Sequence, residues 1–295
     1  MPSTPRQAVV ILGMHRSGTS ALAGALARLG LALPKTPLAD ANDNPEGFYE
    51  SERIVDENFA ILKEEGCAWN VCFPLEPQAL AAKTTPQRAE RLYRILYEEF
   101  GGTGSFILKE PRLCLLLPLW FPGLKRLAPS QPMLLLARHP AEVARSHAAR
   151  NHEPEERTLL NWLHHVLEAE RMSRGQRRAA LLYEDLLRDW RTALGQALRT
   201  AGISTPRDFA AAGAEIDQFI SPGMRHHSAA QPGARIGPAY LAPLVDATWR
   251  AHIALARNPL DEFALAALDD AHANLTLIRQ DIVRRGIRPI LPPGI

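Results

Sequence analysis

At 295 residues, with 46% hydrophobic and 22% charged, the chain is long enough for one large α/β domain with an appendage and has an ordinary globular composition. A formal net charge of +2 excludes a dedicated nucleic-acid surface, so any basic site must be local. Cys67, Cys72 and Cys114 are too few and wrongly spaced for a metal site or a disulfide framework, and no run reaches the roughly 20 apolar residues that span a bilayer.

In chain order, residues 7–12 are a short continuous apolar run, as expected of a strand buried on both faces. Ser20 to Leu29 is rich in helix formers and stops at Gly30, so the chain opens as strand, loop, helix. Residues 34–50 are a turn-rich loop, and Ser51 to Glu64 and Pro86 to Phe100 read as helices. Strands are expected at Ser105–Lys109, Pro132–Ala137 and Ala179–Tyr183, with helices at Ala141–Arg150, Glu155–Ser173 and Glu184–Thr200. Buried strands alternating with helices predict a three-layer α/β fold of P-loop type, with a central parallel sheet of four to five strands. Beyond residue 225 a Gly/Pro-rich link leads to two amphipathic stretches near 239–257 and 260–285. The expected division is a main domain over 1–225 and, over 226–295, an α-helical cap or dimerisation element that would suit a homodimer.

Residues 13–20, Gly-Met-His-Arg-Ser-Gly-Thr-Ser, lie between a buried strand and a helix start. Gly18 lets backbone come close to an oxyanion, and backbone N–H groups at the helix N-terminus then face it. The spacing is that of a nucleotide P-loop except that Thr19 stands where Lys would be. The later strands end in Lys109 and Arg138 and supply no Asp for Mg²⁺. The loop is therefore better equipped for a smaller anion, with Arg16 as its cation and Thr19 and Ser20 as hydroxyl donors.

Gly13-Met14-His15-Arg16-Ser17-Gly18-Thr19-Ser20 resembles the 5′-phosphosulfate loop of sulfotransferases that use the donor nucleotide PAPS, with His15 in place of the usual Pro. Arg138 at a strand end with Ser146 eight residues on resembles the 3′-phosphate motif of the same family. Leu182-Tyr183-Glu184-Asp185-Leu186 resembles its Tyr-Glu-Asp-Leu segment, which implies that Tyr183 lies near the adenine. The likeness spans about 7–225 and is closer to the bacterial and tyrosylprotein-type branch. The Arg-Lys-Gly-x-x-Gly segment of many cytosolic members is absent, and Arg225, His226 and His227 occupy a loop that could stand in for it.

The resemblance implies sulfuryl transfer from PAPS to a hydroxyl or amine, giving PAP, with no metal expected. The donor-binding set is His15, Arg16, Ser17, Gly18, Thr19, Ser20, Arg138, Ser146 and Tyr183. Arg16 and Lys109 would stabilise the leaving phosphate. Glu50, in Asn44-Pro45-Glu46-Gly47-Phe48-Tyr49-Glu50, stands where the tyrosylprotein type places its base, and Glu46 is the alternative. Arg112 would either bind an acidic acceptor or anchor Glu110. The acceptor could be a small molecule, carbohydrate, lipid headgroup or peptide. A P-loop small-molecule kinase using Mg-ATP, or a non-catalytic PAP-binding member of the fold, are the competing functions. With no signal-peptide layout at the N-terminus, cysteines that read as reduced thiols and 29 Arg to five Lys, a cytoplasmic, bacterial protein is expected.

Overall fold

The computed structural model describes residues 5–39, 47–68, 75–220 and 236–285. Glu46, Cys72, Arg225, His226 and His227 lie outside the described residues. Four parallel strands, β1 (Ala8–Leu12), β2 (Phe106–Lys109), β3 (Met133–Ala137) and β4 (Arg178–Leu182), form one sheet in the order β2-β1-β3-β4. Every residue of β1, β2 and β3 is buried, as continuous apolar strands covered on both faces must be.

The strand period of two divides the core. Ala8, Val10 and Leu12 point to one face, where α2 (Glu52–Glu64), α3 (Pro77–Ala82), α4 (Pro86–Phe100) and α5 (Leu113–Leu127) pack through Ile61, Leu80, Leu96, Leu116 and Trp120. Val9 and Ile11 point to the other face. There α1 (Thr19–Arg28), α8 (Tyr183–Arg188), α9 (Trp190–Ala201) and α10 (Phe209–Phe219) supply Leu22, Leu26, Leu186, Leu194 and Ile216. A third apolar cluster joins Met14, Val143, Trp162, Leu241, Val245 and Leu268, from α6 (Pro140–Asn151), α7 (Glu155–Ser173), α11 (Ala242–Arg257) and α12 (Glu262–Arg284). In this cluster α11 lies against β4 and α7, and α12 against α11 and α7. No helix among the described residues is long and apolar enough to cross a membrane.

The helix expected over 184–200 is two helices, α8 and α9. Asp189 adopts φ −152° and its side chain accepts from the Thr192 N–H, so it caps α9 instead of continuing α8. Tyr183 opens α8 and does not close β4. Three helices were not anticipated: α3, α5 and α10. Helix α5 contains Pro118 and Pro122, which remove backbone donors, yet Leu113–Leu117, Leu119, Trp120 and Leu124 are buried along it, so packing overrides the local penalty. On α12, Leu268 and Leu275 are buried, whereas Phe263 is 90% exposed.

Cys67 and Cys114 are buried and outside any disulfide, and burial pushes both thiols up, Cys67 to about 11, so neither is a reactive thiolate. Burial also holds histidines neutral: His164 and His252 are pushed down to about 4 and His165 to about 3. Because their folded values are depressed, their stability contribution is complete above the unfolded value near 6.5 and is lost as pH falls toward 4. We expect stability to fall by on the order of 2 kcal/mol per histidine between pH 7 and pH 5. Urea denaturation across that range checks it, and a flat profile would refute the neutral assignments.

Candidate active site

The loop between β1 and α1 is shaped by two glycines and one strained residue. A Cβ on Gly13 would meet the Leu136 carbonyl oxygen at 2.5 Å, so only glycine lets the loop leave β1 this close to β3. Gly18 has φ +88°, and a Cβ there would meet the Tyr183 ring at 2.0 Å. Arg16 also has positive φ, 66°, an uncommon conformation for a residue with a Cβ. Helix α1 begins at Thr19 with no side-chain cap and no acid in its first turn, whereas α2, α4, α9, α10 and α12 carry side-chain caps. Thr19 is buried with its methyl against Gly13, and the buried Ser17 Oγ has no hydrogen-bond partner among the described residues.

Two motifs 130 residues apart meet over this loop. Arg16 Nε donates to Ser146 Oγ at 2.8 Å, and Arg138 Nη1 donates to the Arg16 carbonyl at 3.2 Å. Arg138 is buried, its Nε donating to Glu142 Oε2 at 2.9 Å and its guanidinium 4.9 Å from the Tyr183 ring centroid. Burial raises the Tyr183 phenol above its ordinary value, so the ring is neutral. The next residue, Glu184, accepts from the His139 backbone N–H at 3.0 Å and so fastens α8 to the start of α6.

On the other side of the loop, Lys109 ends β2 and is buried with Glu50. Its ammonium donates to Glu50 Oε1 at 2.5 Å, to the Phe48 carbonyl at 3.0 Å and to Ser20 Oγ at 3.2 Å. An ammonium has three N–H groups, so all three are engaged. Tyr49, between the two Phe48 and Glu50 acceptors, has φ 58°, and its ring packs edge-on against Phe219. Glu50 Oε2 has no partner among the described residues.

Arg112 lies beneath the loop. Its Nη2 meets Glu110 Oε1 at 2.5 Å, its Nη1 meets His15 Nε2 at 3.0 Å, and its guanidinium covers the Phe59 ring at 4.4 Å. Arg112 is 3% exposed, a placement that faces inward and pairs it with Glu110. Phe59 of α2 is 39% exposed and serves as this stacking platform, while Ile54, Asn58, Ile61 and Leu62 form the buried stripe.

His15, Arg16, Ser17, Gly18, Thr19, Ser20, Arg138, Ser146 and Tyr183 are therefore brought together, with Lys109 and Glu50 at Ser20 and Arg112 at His15. Asn58 and Glu142 were missed, although each left a signal: Glu142 is an acid in the first turn of the helix that follows Arg138, and Asn58 interrupts the apolar stripe of α2. Among the described residues no group of three or more His, Cys, Asp or Glu is placed to hold a metal ion.

Fold and site define an α/β protein with a cluster of cations and hydroxyls at the strand ends, where open parallel sheets hold ligands. No family model and no curated protein matches the chain. Its structure matches bacterial sulfotransferase domains over most of its length. It is similar to the sulfotransferase domain of the Synechococcus PCC 7002 olefin synthase, at 20% identity and a TM-score of 0.42 over 83% of this chain and 90% of that one. It is also similar to sulfotransferase STF9 from Mycobacterium avium, at 15% identity and a TM-score of 0.45 over 77% and 70%. For sulfotransferase STF1 from Mycobacterium tuberculosis H37Rv the values are 15%, 0.40, 72% and 72%. At these scores the likeness assigns no role to any residue.

Proposed function

We propose that the chain is a PAPS-dependent sulfotransferase that moves a sulfuryl group onto a hydroxyl or amine. The observation that carries this reading is the junction of Arg16 with Ser146 and Arg138, which joins the loop to the second motif in one site. The donor set fits the nucleotide. Arg16, Lys109 and Arg138 are cations, Ser17, Thr19, Ser20 and Ser146 are hydroxyls, and the orphaned Ser17 Oγ is the kind of buried polar atom an anion satisfies.

When bound, PAPS supplies an activated sulfuryl group on a phosphate leaving group. The loop residues His15 to Ser20 and Arg16 hold the phosphosulfate end, while Arg138 and Ser146 hold the 3′-phosphate beside the Tyr183 ring. Arg16 and Lys109 offset negative charge where it builds on leaving, and neither needs to give up a proton to do so. Glu50 takes the acceptor proton, its Oε2 being the oxygen with no internal partner. Lys109 shares its protons among Glu50, Phe48 and Ser20, so offering one to an anion means loosening one internal bond.

Calorimetric titration with PAP and with Mg-ATP tests the reading. PAP is expected to bind without metal and to compete with PAPS. Mg-ATP binding with no PAP signal would sink it and turn the site over to phosphoryl transfer.

A further inference from the structure

Between the loop and the core runs a buried polar chain that the transfer chemistry does not use. Trp120 Nε1 donates to Asn58 Oδ1 at 2.8 Å, and Asn58 Nδ2 donates to Glu110 Oε2 at 2.5 Å. Glu110 Oε1 meets Arg112 Nη2 at 2.5 Å, and Arg112 Nη1 meets His15 Nε2 at 3.0 Å. Trp120, Asn58 and Glu110 are fully buried and Arg112 nearly so, with one guanidinium face on Phe59. Burying these groups costs desolvation, and the bonds between them fix the orientation of each member of the network.

We propose that His15 is a positioning residue of the anion loop, locked by Arg112 as the neutral Nδ1–H tautomer, so that the loop carries a fixed hydrogen-bond donor there instead of a titrating cation. The functional half of this rests on the sulfotransferase reading; the lock does not.

The tautomer follows from donor chemistry. A guanidinium has only N–H groups and stays charged, so in this contact His15 Nε2 is the acceptor. A neutral imidazole that accepts at Nε2 carries its proton on Nδ1. The surroundings oppose a second proton. Arg112 and Lys109 face His15 as cations, and the rings of His165 from α7 and His147 from α6 stand edge-on at 6.1 and 6.4 Å. His165 is itself neutral, with Nδ1 against the Asn161 carbonyl at 2.7 Å. Of the nearby acids, Glu110 is engaged by Arg112 and Asn58, and Glu153 Oε2 lies 3.0 Å from His147 Nδ1. Burial first, then Arg112, hold His15 well below its ordinary value.

The chain also ties the two halves of the site together. Asn58 and Phe59 belong to α2, whose N-terminus follows Glu50, so one strap sets the loop against the helix that begins just after the proposed base.

Long-range ¹H–¹⁵N spectra of the full chain, with His15 assigned from His15→Gln, test the lock. The expected result is one neutral Nδ1–H signal that does not move between pH 8 and pH 5.5. The double variant Glu110→Gln, Arg112→Met removes the lock without stranding a charge. In it His15 is expected to lose its single Nδ1–H signal and to populate both neutral tautomers, and PAP affinity at pH 7.5 to fall about three- to tenfold, the value of one hydrogen bond. Should that variant not fold, Arg112→Lys, which reaches only one of Glu110 and His15, serves with the same readouts. An Nε2–H tautomer, or ordinary titration of His15 in the wild-type chain, overturns the proposal. Unchanged PAP affinity in an unlocked variant overturns the positioning role. A locked His15 in a chain that ignores PAP overturns the sulfotransferase reading and leaves the lock standing.

Discussion

Arg138→Ala is expected to weaken PAP binding by roughly thirtyfold or more and to cost about 3–5 kcal/mol of folding stability at the same time. Both effects come from one side chain with two obligations. Its Nε is paired with Glu142, which is fully buried, and its Nη1 reaches the Arg16 carbonyl. Truncation leaves the Glu142 carboxylate in the core without its cation, which is the costly way to break a buried pair. The double variant Arg138→Met, Glu142→Gln removes both charges and is expected to recover most of the stability, since neither group is stranded. It is not expected to recover PAP binding, because no cation returns to the loop. Denaturant titration and calorimetry on the three proteins separate the two effects. A stable double variant that binds PAP like the wild type would move the 3′-phosphate site away from Arg138.

Much of this geometry could be read from residues alone, for identifiable reasons. Strands β1 and β3 are uninterrupted apolar runs, and α4 and α7 carry clear boundary signals, so periodicity and composition sufficed. Helix α5 was illegible because it is apolar nearly all round and holds two prolines, which removes the amphipathic pattern and adds two apparent breakers. The break at Asp189 was legible in principle, since Asp is a strong N-cap, but helix formers on both sides hid it. At the site, Gly18, Arg16 and Arg138 declared themselves by position at strand ends. What could not be read is pairing. Nothing local says that Arg112 turns inward to His15, or that Lys109 divides its protons among Ser20, Phe48 and Glu50, because those partners arrive from separate elements. Sequence marks which charges exist, and only packing decides which are occupied.

That occupancy gives the second large effect opposite signs at its two residues. Glu50→Gln is expected to lower the basal hydrolysis of PAPS, with water as acceptor, by about 10²–10⁴-fold, the usual loss when a general base is removed. PAP affinity is expected to rise a few-fold in the same variant, because a neutral amide competes less strongly than a carboxylate for the Lys109 ammonium at 2.5 Å. Lys109→Met runs the other way. It removes a cation from the loop, so PAP binds more weakly, and it strands the buried Glu50 carboxylate, so stability falls by about 3–5 kcal/mol. If Glu50 and Lys109 were only a structural ion pair, both variants would lose stability and neither would raise PAP affinity. Hydrolysis that survives Glu50→Gln would remove Glu50 as the base, while tighter PAP binding in that variant would still identify it as the group that competes for Lys109.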